Sequence, residues 1–432
     1  MKDDPQGRAG AERRTTYPHP DLSLEGRGVC AAVVGISRGD CSNNDSVRRA
    51  VREAVGAACD LRGIIRPGAR VVLKPNIFAP YPPPATTDAR VVVAAAELAR
   101  EAGADEVIVA EGRSLSTARF RSANNTTRAC AQVTGMAAAL ESAGIPFVAL
   151  EEDEFVEVEP PGADLLKRAN AARTILDADV LINLPVMKVH SLTLVTLALK
   201  NLHGIISDFD KACSHRYRDF HLPRKLVDLL LVKRPALTIL DGLLAQEADH
   251  AASGSPVEMG LIMASADPVA LDAAASYVMG FDPLEVDTTR IAEERGLGVA
   301  DLRRIAIAGP ALDEVRREFA RPDLELSPAK FPGLTVCAGD YCRACAYYTR
   351  RGLDALAKTG KLSRERPLTI VIGRNVEAPD NIPGRVVLVG DCALESPGVK
   401  RLRDRLLVEG RLAAIYACPP MELRIRAEEL LS

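Results

Sequence analysis

The sequence contains no Trp, and aromatic residues make up only 4% of its 432 positions. A chain so poor in rings lacks the stacking platforms on which single-stranded nucleic acid is bound. It also lacks an excess of charge of either sign: 55 Lys and Arg face 58 Asp and Glu, for a formal net charge of -3. With no global positive field, neither nucleic acid nor an anionic membrane is an expected partner. No apolar run approaches the roughly 18 residues that span a bilayer, and the opening MKDDPQGRAGAERRTTYPHP has no apolar signal-peptide core. A cytoplasmic location is therefore expected. In that reducing compartment the ten Cys are thiols or metal ligands rather than disulfides. Three further signatures are missing: a G-x-G-x-x-G after the first strand, a G-x-x-x-x-G-K-[ST] and a G-x-S-x-G. Dinucleotide, P-loop and serine-nucleophile chemistry thus have no motif to rest on.

What is present is ordinary globular material, 47% hydrophobic and 26% charged, long enough for two or three domains. Residues 1–27 read as a polar leader. From there short apolar runs at 31–34, 71–73, 107–110, 147–150, 180–184, 237–240, 261–264 and 305–308 alternate with helical stretches. Those stretches lie near 46–60, 89–103, 131–143, 191–202, 222–231, 267–279 and 286–295. Strands that are apolar throughout are buried on both faces by helices, so the expected class is α/β with a largely parallel or mixed sheet. This unit spans 28–310. A charged, Pro-rich linker at 311–333 leads to a smaller Cys-rich α/β unit at 334–432. Its strands are expected at 334–337, 368–372 and 386–389, and its helices near 348–359, 396–407 and 421–431.

The small unit carries Cys337, Cys342 and Cys345 as C-x4-C-x2-C, followed by Cys392 in VGDC and Cys418 in CPP. Thiolates at this spacing converge on one metal centre. The expectation is an iron–sulfur cluster, 4Fe-4S rather than 2Fe-2S, with Cys392 or Cys418 as the fourth ligand. Structural zinc and a redox dithiol are the alternatives.

In the large unit, polar residues follow buried strands, where ligands of open α/β sheets bind. Lys74 and Asn76 follow one strand. Asn183, Lys188 and His190 follow another, and Lys200, Asn201 and His203 end the helix expected after it. Lys74, His190, Lys200 and His203 are candidate catalytic groups. Asn76, Asn183, Lys188, Asn201, Asp241, Asp267 and Asp272 are candidate substrate-binding groups, although Asp267 before Pro268 also reads as a helix cap. Glu111 and Gly112 stand at one more strand end. His190, His203, His215 and His221 fall close together, with Cys213 among them. That stretch suits substrate binding or proton transfer, with a second metal site and solvated or core histidines as the alternatives.

The pieces KPN at 74–76, DADVLINLPVMKVHSLTLVTLALKNLHG at 177–204, LDGL at 240–243 and SADPVALDA at 265–273 resemble the domain-of-unknown-function 362 family. The resemblance implies an α/β domain often accompanied by iron–sulfur modules, and no established reaction. Here the tail differs from the two-cluster ferredoxin segment, which implies a single cluster. The expected function is an iron–sulfur redox protein or enzyme acting on a small anionic substrate, served by an electron-donor protein. The alternatives are a non-redox acid–base or metal-dependent enzyme with a structural Cys site, and a metal or cluster carrier.

Overall fold

The computed structural model describes residues 32–114, 126–213, 221–249, 254–377, 382–415, 418 and 420. The leader at 1–27, the histidine at 215 and the helix expected at 421–431 lie outside the described residues. The large unit holds β1 (Ala32–Arg38), β2 (Arg70–Pro75), β3 (Glu106–Glu111), β4 (Phe147–Ala149), β5 (Phe155–Val158) and β6 (Ala169–Ala172). It continues with β7 (Val180–Leu184), β8 (Val186–His190), β9 (Leu194–Thr196), β10 (Leu237–Glu247), β11 (Ser255–Ser265) and β12 (Ile305–Ala308). The main sheet runs β12-β1-β11-β10-β7-β2-β3-β4, with β8 and β9 attached beside β10. Its pairs are parallel except for β1 with β11, β10 with β11 and β8 with β9.

The mostly parallel sheet follows from its strands. In β7 every residue is buried. Leu181 packs into the core on one face, and Val180, Ile182 and Leu184 pack into the core on the other. The helices Asn44–Ala58 and Ala89–Ala102 cover that second face.

Two expected elements differ. The helix expected at 131–143 is two, Thr127–Val133 and Met136–Ser142, because Gly135 between them adopts φ 79 and interrupts the ladder. The helix expected at 191–202 is a hairpin instead. Pro185 separates β7 from β8, β8 pairs back with β9 (Lys188 opposite Thr196), and only Ala198–Asn201 is helical. The β-branched run in LTLVT favours strand, and Leu194 at φ 66 closes the turn.

The small unit is a separate, wholly parallel sheet of β13 (Leu334–Ala338), β14 (Leu368–Ile372), β15 (Arg385–Val389) and β16 (Leu412–Ile415), in that order. The helix Arg343–Lys358 joins it to the large unit. Ala344, Tyr347 and Tyr348 are buried in the large unit's core, while Cys345, Leu353 and Leu356 on the same helix belong to the small unit's core. Arg343 reaches Glu285 at 3.9 Å, and Arg351 reaches Asp249 at 3.8 Å. Among the described residues no helix is long and apolar enough to cross a membrane.

Because Tyr347 fills the large core from the small unit's helix, Tyr347→Ala is expected to cost about 3 kcal/mol. Urea unfolding should show a lowered midpoint for both units. An unchanged midpoint would mean that the units are not coupled through this helix.

Candidate functional site

Strands β2, β3 and β7 run parallel and end together, and the residues at those ends form a buried, lysine-rich cluster. Lys74, the last residue but one of β2, is fully buried, and its Nζ lies 2.9 Å from Glu111 Oε2 at the end of β3. Burial lowers the Lys74 pKa, and the Glu111 charge opposes that shift. The other oxygen of Glu111 accepts the Gly112 N–H at 2.8 Å.

After β2 the chain is locked by Thr87. Its hydroxyl accepts the Asn76 N–H at 2.8 Å and donates to Leu184 O at 2.8 Å. This fixes Asn76 at the head of a hydrogen-bond relay. Lys188 Nζ donates to Asn76 Oδ1 at 2.8 Å, Asn76 donates to Asn201 Oδ1 at 2.9 Å, Asn201 donates to Asn183 Oδ1 at 2.8 Å, and Asn183 donates to Ala198 O at 3.0 Å. Each amide has both ends used, so its orientation is determined by its neighbours. Lys188 Nζ also donates to Ala85 O at 2.8 Å and stands 5.5 Å from the Phe78 ring.

Burial and the charge of Lys200 bring Lys188 down to about 7, and burial together with Lys74 brings Lys200 down to about 8. Lys211, also buried, donates to Arg113 O at 2.9 Å. Its pKa is lowered by burial. All four lysines therefore lie within electrostatic reach of Glu111, and Asp208, held by Arg113 at 2.6 Å, stands 3.5 Å from Lys211 Nζ. Asn76, Phe78, Arg113, Lys200 and Gly204 keep partial exposure and form the rim.

Two glycines allow this packing. A Cβ on Gly204 would be driven into Glu111 Oε1 and would stand 3.0 Å from Lys74 Nζ. A Cβ on Gly112 would meet Gly204 O and stand 3.2 Å from Lys211 Nζ.

Six candidates are thus brought together: Lys74, Asn76, Asn183, Lys188, Lys200 and Asn201. The others have different places. His190 Nδ1 accepts the N–H groups of Leu192 and Thr193 at 3.1 and 3.3 Å, closing the β8–β9 turn. His203 is buried in the turn Leu202–Ile205. Asp272 accepts the N–H groups of Ala198 and Leu199 at 2.7 and 3.0 Å, so it holds the start of the short helix that carries Lys200 and Asn201. Burial raises its carboxyl to about 7. Asp241 accepts the Asp88 N–H at 2.7 Å, tying β10 to the helix Ala89–Ala102, and burial with the nearby Asp88 charge raises it to about 7. Asp267 caps Pro268–Val278, as its Pro neighbour foretold, and burial raises its pKa.

Sequence reasoning missed Lys211, and it placed Glu111 at a strand end without its partner. It also missed Lys225, fully buried and donating to Asp210 O, Lys211 O and Cys213 O at 3.1, 2.8 and 2.7 Å. A lysine inside the apolar run HLPRKLVDLLLV was the available signal.

In the small unit the expected cysteine triplet divides. Cys337 packs into the core on one face of the sheet and Cys345 into the core on the other. Cys342 stands at the N-cap position of the helix Arg343–Lys358 without a side-chain cap hydrogen bond, beside the Cys345 thiol. That neighbouring thiol holds the Cys342 thiol below its ordinary value, whereas the Cys342 contact and burial push Cys345 up. Among the described residues no three His, Cys, Asp or Glu side chains are gathered as a single metal ion requires.

With this geometry in view, comparison with known proteins gives a match to one family model over part of the chain. Residues 71–277 match the family described as "Domain of unknown function (DUF362)". The match takes in β2, β3 and β7 and every residue of the lysine cluster. A curated relative, "Thylakoid-associated protein sll1697" of Synechocystis, is 29% identical over 269 residues, covering 61% of this chain and 79% of its own. Among solved structures, a protein from Thermotoga maritima is 13% identical with a TM-score of 0.31, covering 51% of this chain and 55% of its own. The lactate racemase apoprotein from Thermoanaerobacterium thermosaccharolyticum is 12% identical with a TM-score of 0.39, covering 96% and 84%.

Two substitutions test the site's construction. Gly204→Ala is expected to split the Lys74–Glu111 pair and lower stability by about 3 kcal/mol, read as a fall in the thermal midpoint. A midpoint unchanged from wild type would refute the close packing. Asp272→Ala strands two buried N–H groups and should cost about 2 kcal/mol in chemical denaturation, whereas Asp272→Asn, which keeps one acceptor oxygen, should cost less. Equal losses would remove Asp272 from its capping role.

Proposed function

We propose that the carboxyl edge of β2, β3 and β7 binds a small anionic substrate, a carboxylate or phosphate, and exchanges a proton with it. The observation that carries this reading is the charge imbalance: Lys74, Lys188, Lys200 and Lys211 face two nearby carboxylates, Glu111 and Asp208, and Asp208 is shared between Lys211 at 3.5 Å and Arg113. An uncompensated buried ammonium is costly, so such a group either loses its proton or recruits an anion. Lys188 near 7 and Lys200 near 8 stand where a proton is given and taken most readily at neutral pH. The asparagine relay orients the Lys188 ammonium, and Phe78 at 5.5 Å shields it from water. A second reading, in which the bound anion also exchanges electrons with a cysteine-held centre, draws on Cys342 and Cys345 at the start of the helix Arg343–Lys358 and on Cys392 and Cys418, which each follow a strand end of the small sheet by three residues.

The pH dependence has a definite sign. Lys188 is an ammonium below about 7 and neutral above it. An anion favours the ammonium, so binding takes up a proton, and affinity falls as pH rises from 7, by about tenfold per unit for one lysine. Titration calorimetry with sulfate, whose charge is constant over this range, should show that fall between pH 7 and 9. It should also show proton uptake between buffers of different ionisation enthalpy, and a loss of at least about tenfold in Lys188→Met. Affinity independent of both pH and residue 188 would overturn the proposal.

A further inference from the structure

Three of the four lysines at the strand ends direct their ammonium groups to protein acceptors. Lys74 donates to Glu111 and Pro75 O, Lys188 to Asn76 and Ala85 O, and Lys211 to Arg113 O and Asp208. Lys200 is different. Among the described residues its Nζ makes no hydrogen bond and no ion pair, and the residue keeps partial exposure at the rim. We infer that Lys200 is a nucleophile that forms an imine with a 2-oxo acid bound at this edge. The inference rests on the anion-binding reading above and adds to it a covalent step and a substrate class.

The backbone turns Lys200 toward the site. On one side of it Asp272 holds the N–H groups of Ala198 and Leu199. On the other, Asn201 is bound to Asn76, to Asn183 and to the carbonyls of Lys74 and Pro75. Gly204 follows Lys200 by one helical turn, so the two share a face. A Cβ on Gly204 would stand 3.0 Å from Lys74 Nζ and run into Glu111, so the face that carries Lys200 looks onto the Lys74–Glu111 pair.

An amine attacks a carbonyl only as the free base, which desolvation and a neighbouring cation favour. Burial and the Lys74 charge bring Lys200 to about 8. Roughly a tenth of it is then unprotonated at neutral pH, against less than about a thousandth of an ordinary lysine. The Nζ lone pair adds to the carbonyl carbon, the C=O π pair passes to oxygen, and one amine proton moves to that oxygen. A proton from the Lys188 ammonium, which lies within electrostatic reach of Lys200, lets the oxygen leave as water while nitrogen closes the C=N bond. The products are a cationic imine and a neutral Lys188, so the total charge facing the substrate carboxylate is unchanged. The imine draws electrons from the neighbouring carbon, and the Lys188 amine accepts the proton released there. A 2-oxo acid suits this pair because its carbonyl and carboxylate are adjacent, as the free amine and the ammonium are.

The test is reductive trapping. The full chain is incubated at neutral pH with pyruvate and cyanoborohydride, and the modified lysines are mapped by peptide mass spectrometry. The inference predicts a mass gain of one pyruvic acid less one oxygen atom, formed at Lys200 at least about tenfold faster than at the exposed Lys358 and slowed by sulfate. In Lys200→Met the gain should fall to the rate of the exposed lysines, with far-UV circular dichroism to check folding. If that variant does not fold, the wild-type map decides alone. Labelling no faster at Lys200 than at Lys358, with sulfate affinity still dependent on residue 188, would overturn the imine and leave the anion site standing. The same slow labelling without sulfate binding would overturn both, and labelling centred on Lys74, Lys188 or Lys211 would overturn the assignment to Lys200.

Discussion

The structure depends on one buried ion pair that is outnumbered. Lys74 and Glu111 neutralise each other at 2.9 Å, yet Lys188 and Lys200 crowd the same strand ends, and Lys211 beside them shares Asp208 with Arg113. In a low-dielectric interior like charges repel strongly, and the cost falls on the protonated forms. On the proposed reading, a fold that keeps such a cluster holds positive charge in readiness for a negative group. This is weak support for stability, since an apolar cluster would be cheaper, and better support for binding.

The surrounding architecture supports this cluster. The parallel sheet brings three strand ends to one place, and Thr87 pins the loop that carries Asn76. Asp272 holds the short helix of Lys200 and Asn201 from the far side. Gly112 and Gly204 let two backbone segments close over Glu111 where any side chain would intrude. His190, a residue type that invites a catalytic reading, is spent on the β8–β9 turn. Burial has brought the pKa values of Lys188 and Lys200 toward neutrality, and the proposed proton exchange rests on these lysines.

How much of this was legible in the sequence depended on the range of the interaction. The α/β class and the buried strands could be read because apolar runs such as VLINL report burial locally. Lys74, Asn76 and Lys188 could be read because they directly follow such runs. The hairpin at β8–β9 could not, since SLTLVTLALK is equally apolar as helix or strand and only pairing with β8 decides between them. The Lys74–Glu111 pair spans 37 positions, and Lys211 reaches back nearly a hundred positions to Arg113. No local pattern encodes either contact. The cysteine spacing pointed to one edge of the small sheet, but strand alternation, which turns Cys337 to the opposite face, becomes visible only when β13 is seen between its two cores.

The central claim is that Lys188 loses its proton near neutrality because it is buried beside other ammonium groups. The most direct measurement is an NMR titration of protein labelled at lysine Cε, with the Lys188 signal assigned by its disappearance in Lys188→Met. The account predicts a midpoint near 7 that moves upward when sulfate is added. A midpoint at the ordinary lysine value of about 10.4, unmoved by sulfate, would contradict it.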